Sequence, residues 1–321
     1  MKYLPKRRAG HLRKRDWIPK IFLEKLSSPI DFSLNYHIIP ILISNWCQKM
    51  GLTTNKYRSS LSKRGAFLLS TLAGQNKNIF TVDEARKILK ESPKKVVSAL
   101  IENKWILHLK RGLYAIVPLD IGPKGADDFI VHDFIIASYL TTPYFISFWS
   151  ALNYYGFSDQ IPTTIFVVSN KSLKPLKILN SKYLFIRLSK NKFIGITKIK
   201  MEDRDILIAD KNKTIADCLD HPEHSGGIEE VARSIYFNHG ELTFDKIKFY
   251  ALKMKNMTIL KRLGYIFERT GLLDEYMDHF QDIKMTKGYS KLDTISKSSG
   301  EYNEKWKLLI NAEINPKRWM Y

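Results

Sequence analysis

The sequence predicts an α+β chain, with a small helical domain ending in a hairpin ahead of a larger mixed domain. Three observations predict it. Residues 60–118 read as three short helices followed by a hairpin. Residues 128–284 alternate strand-length and helix-length apolar runs, and the positive charge is concentrated in the first 120 residues.

Taken in order, residues 1–20 form a basic arm. It carries Arg7, Arg8, Arg13, Lys14 and Arg15 along with Lys6 and Lys20, and Asp16 is its only acid. Such a run stays solvated and orders on a phosphate backbone. Residues 21–59 become apolar again, at Ile38-Ile39-Pro40-Ile41-Leu42-Ile43, and read as an N-terminal helical extension. Residues 60–120 are the clearest part of the chain. The stretch 61–73 puts Leu61, Leu68, Leu69 and Leu72 on one helical face, with Gly74 expected as its stop. Thr81-Val82-Asp83-Glu84 is a capping box, in which hydroxyl and carboxylate satisfy free amides of a first turn. The helix it opens carries Val82, Ala85, Ile88 and Leu89 on one side.

A third helix is expected from Ser92-Pro93, with Ser as N-cap and Pro at the first helical position. Val97, Leu100 and Ile101 then face inward, leaving Lys94, Lys95, Ser98 and Glu102 outward. Ile106-Leu107-His108-Leu109 and Leu113-Tyr114-Ala115-Ile116-Val117 read as strands about a Lys110-Arg111-Gly112 turn. Gly112 supplies the positive φ that a tight hairpin needs. Three short helices and a hairpin in this order predict a winged helix-turn-helix at 60–120.

A Gly/Pro/Asp linker at 121–128 leads into the mixed α/β C-terminal domain, residues 128–284. Helices are expected at 129–140 and 147–155, and strands at 164–168, 183–188, 193–199 and 205–208. Further helices follow at 214–219, 228–237, 244–253 and 257–270, the last stopped by Gly271. Residues 285–321 read as a polar tail on the surface.

Charge narrows the partners. The chain carries 52 Lys and Arg against 32 Asp and Glu, a net charge of +20. Residues 1–120 hold 23 basic and 8 acidic side chains, a net +15, and the remaining 201 residues only +5. A field concentrated in this way attracts a polyanion by releasing its counterions, and double-stranded DNA is the expected partner. Cys47 and Cys218 are the only cysteines, so there is no disulfide framework. The longest apolar neighbourhood, 145–155, is broken by Ser147, Ser150 and Asn153, short of the roughly eighteen residues a span needs. No signal-peptide pattern opens the chain. These features predict a soluble, cytoplasmic protein.

The residues expected to contact DNA are Lys94, Lys95 and Ser98 on the third helix, Lys110 and Arg111 at the wing tip, and the arm cations Arg7, Arg8, Arg13, Lys14 and Arg15. Two other groups could carry chemistry. Cys218, His221 and His224 have spacing compatible with a metal, but no fourth ligand accompanies them. Asp210, Asp217, Asp220, Glu223, Glu229 and Glu230 form a carboxylate group, in which Asp217 and Asp220 share a helical face. With no phosphate-binding glycine loop, nucleophile elbow or zinc-protease motif, the sequence predicts no catalytic residues, no cofactor and no metal. The rival readings are a protein-interaction module, a free-standing architectural DNA-binding protein, and a nuclease or nucleotidyltransferase.

Three segments carry a resemblance. They are Lys110-Arg111-Gly112-Leu113-Tyr114-Ala115-Ile116-Val117-Pro118; Tyr144-Phe145-Ile146-Ser147-Phe148-Trp149-Ser150-Ala151-Leu152-Asn153-Tyr154-Tyr155-Gly156; and the run from Ile208 through Asp210, Thr214, Asp217 and Pro222 to Gly226-Gly227-Ile228-Glu229-Glu230-Val231-Ala232. Together, over roughly residues 60–275, the chain resembles the AbiEi-type antitoxin and transcriptional-regulator family of type IV toxin–antitoxin systems. The resemblance implies an operator-binding winged helix, autoregulation of an operon, and a nucleotidyltransferase-like toxin as functional partner. About sixty residues, including the basic arm, precede the usual start of that winged helix. Repressors of this kind often act as homodimers on paired half-sites.

Overall fold

The computed structural model describes residues 57–160, 162–202, 204–281 and 283–319. The basic arm and most of the 21–59 extension lie outside the described residues. The described chain is mixed α+β.

It opens on α1 (Lys63–Gly74), capped by Ser62, whose hydroxyl accepts from the Gly65 amide. Gly74 is the last helical residue rather than the stop. The reversal comes at Asn76, with φ 52°, a left-handed conformation that Asn tolerates. Strand β1 (Ile79–Thr81) leads into α2 (Val82–Leu89), where the Thr81–Glu84 capping box forms in both directions. Lys90, at φ 54°, turns the chain toward α3 (Lys94–Glu102). Pro93 already has helical angles and α3 begins without a side-chain cap, so the expected Ser92 cap is absent. Val96, Val97 and Leu100 are its buried face, while Ile101, expected inward, is 36% exposed. Both valines are buried because Leu68, Leu69 and Leu72 of α1 and Ala85 of α2 pack against α3.

Strands β2 (Ile106–Lys110) and β3 (Leu113–Ile116) form the hairpin, with Gly112 at φ 77° in its turn and a register shift between His108 and Lys110. β1 pairs with β3, giving a three-stranded antiparallel sheet in the order β1-β3-β2. Pleating sends alternate side chains to opposite faces. Phe80, Ile106, Tyr114 and Ile116 meet the helices α1–α3, whereas Ile79, Leu107, Leu109, Leu113 and Ala115 pack on the rest of the chain.

That remainder is built on a six-stranded mixed sheet in the order β6-β7-β5-β4-β9-β8. Its strands are β4 (Tyr144–Ile146), β5 (Thr164–Ser169), β6 (Leu176–Ile178), β7 (Ser181–Arg187), β8 (Ile196–Met201) and β9 (Arg204–Ala209). One face takes α4 (Asp133–Ser138) and the hairpin sheet through Ile146, Val167, Tyr183 and Ile208. The opposite face carries Phe145, Phe166, Val168 and Ile186 together with Phe148 of α5 (Phe148–Tyr154). The helix expected at 129–140 shrinks to the six residues of α4, because Thr141-Thr142-Pro143 leads straight into β4. The strand expected at 193–199 begins later, after a 3-10 turn at Lys190–Lys192.

Five helices complete the core: α6 (Lys211–Asp220), α7 (Ile228–Asn238), α8 (Phe244–Lys253), α9 (Thr258–Thr270) and α10 (Leu273–Phe280). Residues beyond 285 are not the surface tail that their polarity predicts. Strands β10 (Ser290–Lys291), β11 (Glu301–Asn303) and β12 (Leu308–Ile310) form a small sheet, and Leu292, Trp306, Leu308 and Ile314 enter the helical core. Trp306 seats on Gly264 of α9, where an added Cβ would fall 2.0 Å from the indole. Among the described residues no helix is long and apolar enough to cross a membrane.

The Gly264–Trp306 contact makes a direct prediction. Gly264→Ala should unseat the indole and destabilise the chain by about 1–3 kcal/mol, the usual cost of overfilling a packed site. Urea unfolding followed by tryptophan fluorescence would measure it.

Candidate nucleic-acid interface

The first turn of α3 presents Lys94 and Lys95, both exposed, and Ser98 one turn further along is exposed too. Ile101 and Glu102 complete the outward stripe. This face is turned away from the small sheet, because Val96, Val97 and Leu100 occupy the side that meets Phe80 and Ile106. At the hairpin turn Arg111 is exposed and Lys110 half-buried. The Gly112 carbonyl accepts from the Val82 amide at 2.9 Å, which holds the turn against the start of α2.

The acids of this half are mostly engaged elsewhere. Arg64 pairs with Glu91 at 2.6 Å, Lys77 with Glu84 at 2.7 Å, Arg86 with Asp83 at 2.7 Å and Lys104 with Asp127 at 2.5 Å. Among the described residues, Lys94, Lys95, Lys110 and Arg111 make no ion pair, so their charge is unneutralised. The arm residues Arg7, Arg8, Arg13, Lys14 and Arg15 lie outside the described residues. The sequence did not single out Lys87 and Lys90, which are exposed on and just after α2, beside the turn into α3.

Of the carboxylate group, Asp210, Asp217 and Asp220 lie at the start of α6 or along it and hold it in place. Asp210 caps the helix by accepting from the Lys213 amide at 2.8 Å and from the Tyr250 hydroxyl at 2.5 Å. The Thr214 hydroxyl donates to the Ala209 carbonyl at 3.3 Å. Asp217 and Lys213 are both fully buried and ion-paired one helical turn apart. Ser147 donates to the other Asp217 oxygen at 2.7 Å, and the Lys213 ammonium lies 5.2 Å from the Phe145 ring centroid. Phe148 enters α5 at φ 57°, a left-handed backbone uncommon for a bulky residue.

Asp220 faces different partners. Lys192 reaches it at 2.5 Å and the Asn256 amide at 2.5 Å. The two aspartates therefore do not form a shared carboxylate pair. Arg262 donates to the Leu219 and Asp220 carbonyls at 2.5 and 3.1 Å and to the Lys291 carbonyl at 2.8 Å, tying the end of α6 to β10. Burial lowers its pKa to about 10.

Cys218 sits in the helical core, where burial pushes its thiol pKa up. His221 and His224 stack at 5.9 Å beside Phe148, outside that core. Among the described residues no group of three or more His, Cys, Asp or Glu side chains could hold a metal ion. Burial works to raise the Glu223 carboxyl, but hydrogen bonds from His221 and Thr294 prevail and bring it down to about 2.

Two outcomes follow for α6 and the turn after it. Asp217→Ala strands a buried ammonium and should cost about 3–5 kcal/mol, while the double replacement Asp217→Leu with Lys213→Met should restore most of it. Denaturant midpoints of the three proteins measure both effects. Because the folded Glu223 pKa is depressed, its stabilisation is complete above its ordinary value of 4.5 and is lost as pH falls toward 2. The gap in melting temperature between the parent and Glu223→Gln should therefore close across that window.

No protein-family model matches the chain, and no curated protein matches it. A crystal structure of the RV2827C protein from Mycobacterium tuberculosis is similar at a TM-score of 0.57, with 11% sequence identity, over 79% of this chain and 94% of that one. At that identity the likeness is one of fold alone.

Proposed function

We propose that the chain is a double-stranded DNA-binding regulator that contacts DNA through the outer face of α3 and the β2–β3 turn. In this reading α1–α3 and the small sheet are a winged helix-turn-helix, with α3 as recognition helix and Lys110-Arg111-Gly112 as wing tip. The observation that carries it is the set of unpaired cations on α3 and the wing, in a half of the chain where Asp83, Glu84, Glu91 and Asp127 are engaged with other cations and Glu102 is the one acid on the outward stripe of α3.

Dimensions support the reading. A helix with side chains is about 10–12 Å across and a major groove about 12 Å wide. The nine residues of α3 rise about 13 Å. After Lys104 turns the chain at φ 60°, the five residues of β2 cover about 16 Å. A wing of that reach suits backbone contact beside a helix in the groove. Lys94 and Lys95 fit phosphate or guanine, and Ser98 fits either a base edge or a phosphate. The arm, residues 1–20, adds a backbone clamp. The AbiEi-type resemblance adds a use for such binding, namely autoregulation of a toxin–antitoxin operon.

If these groups contact phosphates, affinity falls steeply with salt. Each replacement among Lys94→Ala, Lys95→Ala, Lys110→Ala and Arg111→Ala should reduce the slope of log K against log salt by about one unit. Fluorescence anisotropy on a duplex from the chain's own upstream region, at several salt concentrations, reads the slope. An unchanged slope in the quadruple variant removes α3 and the wing as the contact surface. Deleting residues 1–20 should weaken binding to all duplexes alike.

A further inference from the structure

A cavity of about 450 Å³ opens beside the start of α7, between α5 and the 3-10 turn Pro316–Trp319. Trp149 and Trp319 supply its aromatic lining, with Glu229, Glu230, Arg233 and Arg318 around them. Both arginines are already neutralised: Arg233 pairs with Asp159 at 2.5 Å and Arg318 with Glu313 at 3.2 Å. Glu230 accepts from Ser158 at 2.6 Å through one oxygen, and its other oxygen shares Arg233, at 3.9 Å, with Asp159. Glu229 makes no hydrogen bond or ion pair among the described residues. In a protein of charge +20 this is a local excess of negative charge.

The aromatic lining is held in place. The Trp149 indole N–H donates to Ser158 at 3.2 Å, so Trp149, Ser158 and Glu230 form one chain of hydrogen bonds. Trp319 rests on Tyr236 with ring centroids 5.8 Å apart. At Gly226, φ 80°, a Cβ would approach the Trp149 ring to 3.2 Å, so glycine keeps this side of the cavity open.

We propose that this cavity binds an organic cation, a guanidinium or alkylammonium group, held against the indoles and paired by Glu229 and Glu230. Aromatic faces attract organic cations, the weakly hydrated guanidinium most readily, and a partly desolvated carboxylate strengthens the contact. An anion would meet the unpaired Glu229 carboxylate and arginines that are already occupied. A hard metal ion would find too few oxygens. The group could be the arginine side chain of a polypeptide partner or a free polyamine, and both share this chemistry.

Isothermal titration and tryptophan fluorescence of the full chain, at matched ionic strength, separate the possibilities. The probes are N-acetyl-arginine amide, spermidine and inorganic phosphate. At least one of the two cations should bind saturably and change the fluorescence. Glu229→Gln should weaken that binding about tenfold, the loss of one charged partner. Tighter binding of the arginine amide assigns the site to a protein side chain, and tighter binding of spermidine assigns it to a polyamine. Saturable phosphate binding without cation binding, no binding of either cation, or unchanged affinity in Glu229→Gln overturns the proposal. The Glu229→Gln variant leaves α3 and the wing intact, so its DNA affinity is read separately and the two conclusions fail independently.

Discussion

The small sheet β1-β3-β2 is apolar on both faces, and the rest of the described structure depends on this. One face closes the core formed by α1, α2 and α3; the other lies on α4 and the six-stranded sheet through Ile79, Leu109, Leu113 and Ala115. A buried side chain of this size contributes about 1.5–3 kcal/mol. Three of them together rival a substantial part of the roughly 5–15 kcal/mol that holds a whole domain folded. The hairpin therefore cannot lift off without exposing a core on each side, and α3, seated on the same sheet, keeps a fixed direction. Its cations are displayed by the packing beneath them.

Lysine has opposite uses in the two halves. On α3 it stands in water without an ion pair among the described residues. In α6, Lys213 is sealed beneath the central strands and tolerated because Asp217 is one turn away and Ser147 occupies the remaining carboxylate oxygen. Burial on that scale is costly unless the partner geometry is complete. The network therefore fixes where α6 meets the β4–α5 turn, and a composition count cannot distinguish these two kinds of lysine.

Much of the fold was legible where the signal is local. The Thr81–Glu84 box, the Gly112 turn, the Gly271 stop and the bounds of α8 all lie within a few residues of the groups that cause them. Strands β1, β4 and β6 were not legible. Each has three residues, too few to express a period of two, and they form because longer strands offer them an edge or a gap. Ile101 was assigned inward on spacing alone, but the direction from which α1 and α2 approach favours Val96. The cations of α3 and the β2–β3 turn stood out in the sequence as a charge pattern, and their lack of ion-pair partners required the fold. The Cys218, His221 and His224 spacing does not converge, because Cys218 turns into the helical core and the histidines follow the chain out of it. The cavity at Trp149 and Trp319 joins residues 170 positions apart, beyond the reach of any local pattern.

The attachment of β10 has one more consequence. Arg262 spans from the last carbonyls of α6 to the Lys291 carbonyl, and Leu292, Trp306 and Leu308 fill the space behind it. The closing segment thus works as a buckle across the helical half. A protease cut or an early stop near residue 285 would do more than trim an appendage. It would leave a guanidinium short of acceptors and open a greasy trench along α9, and the shortened chain would be prone to clump with its own copies.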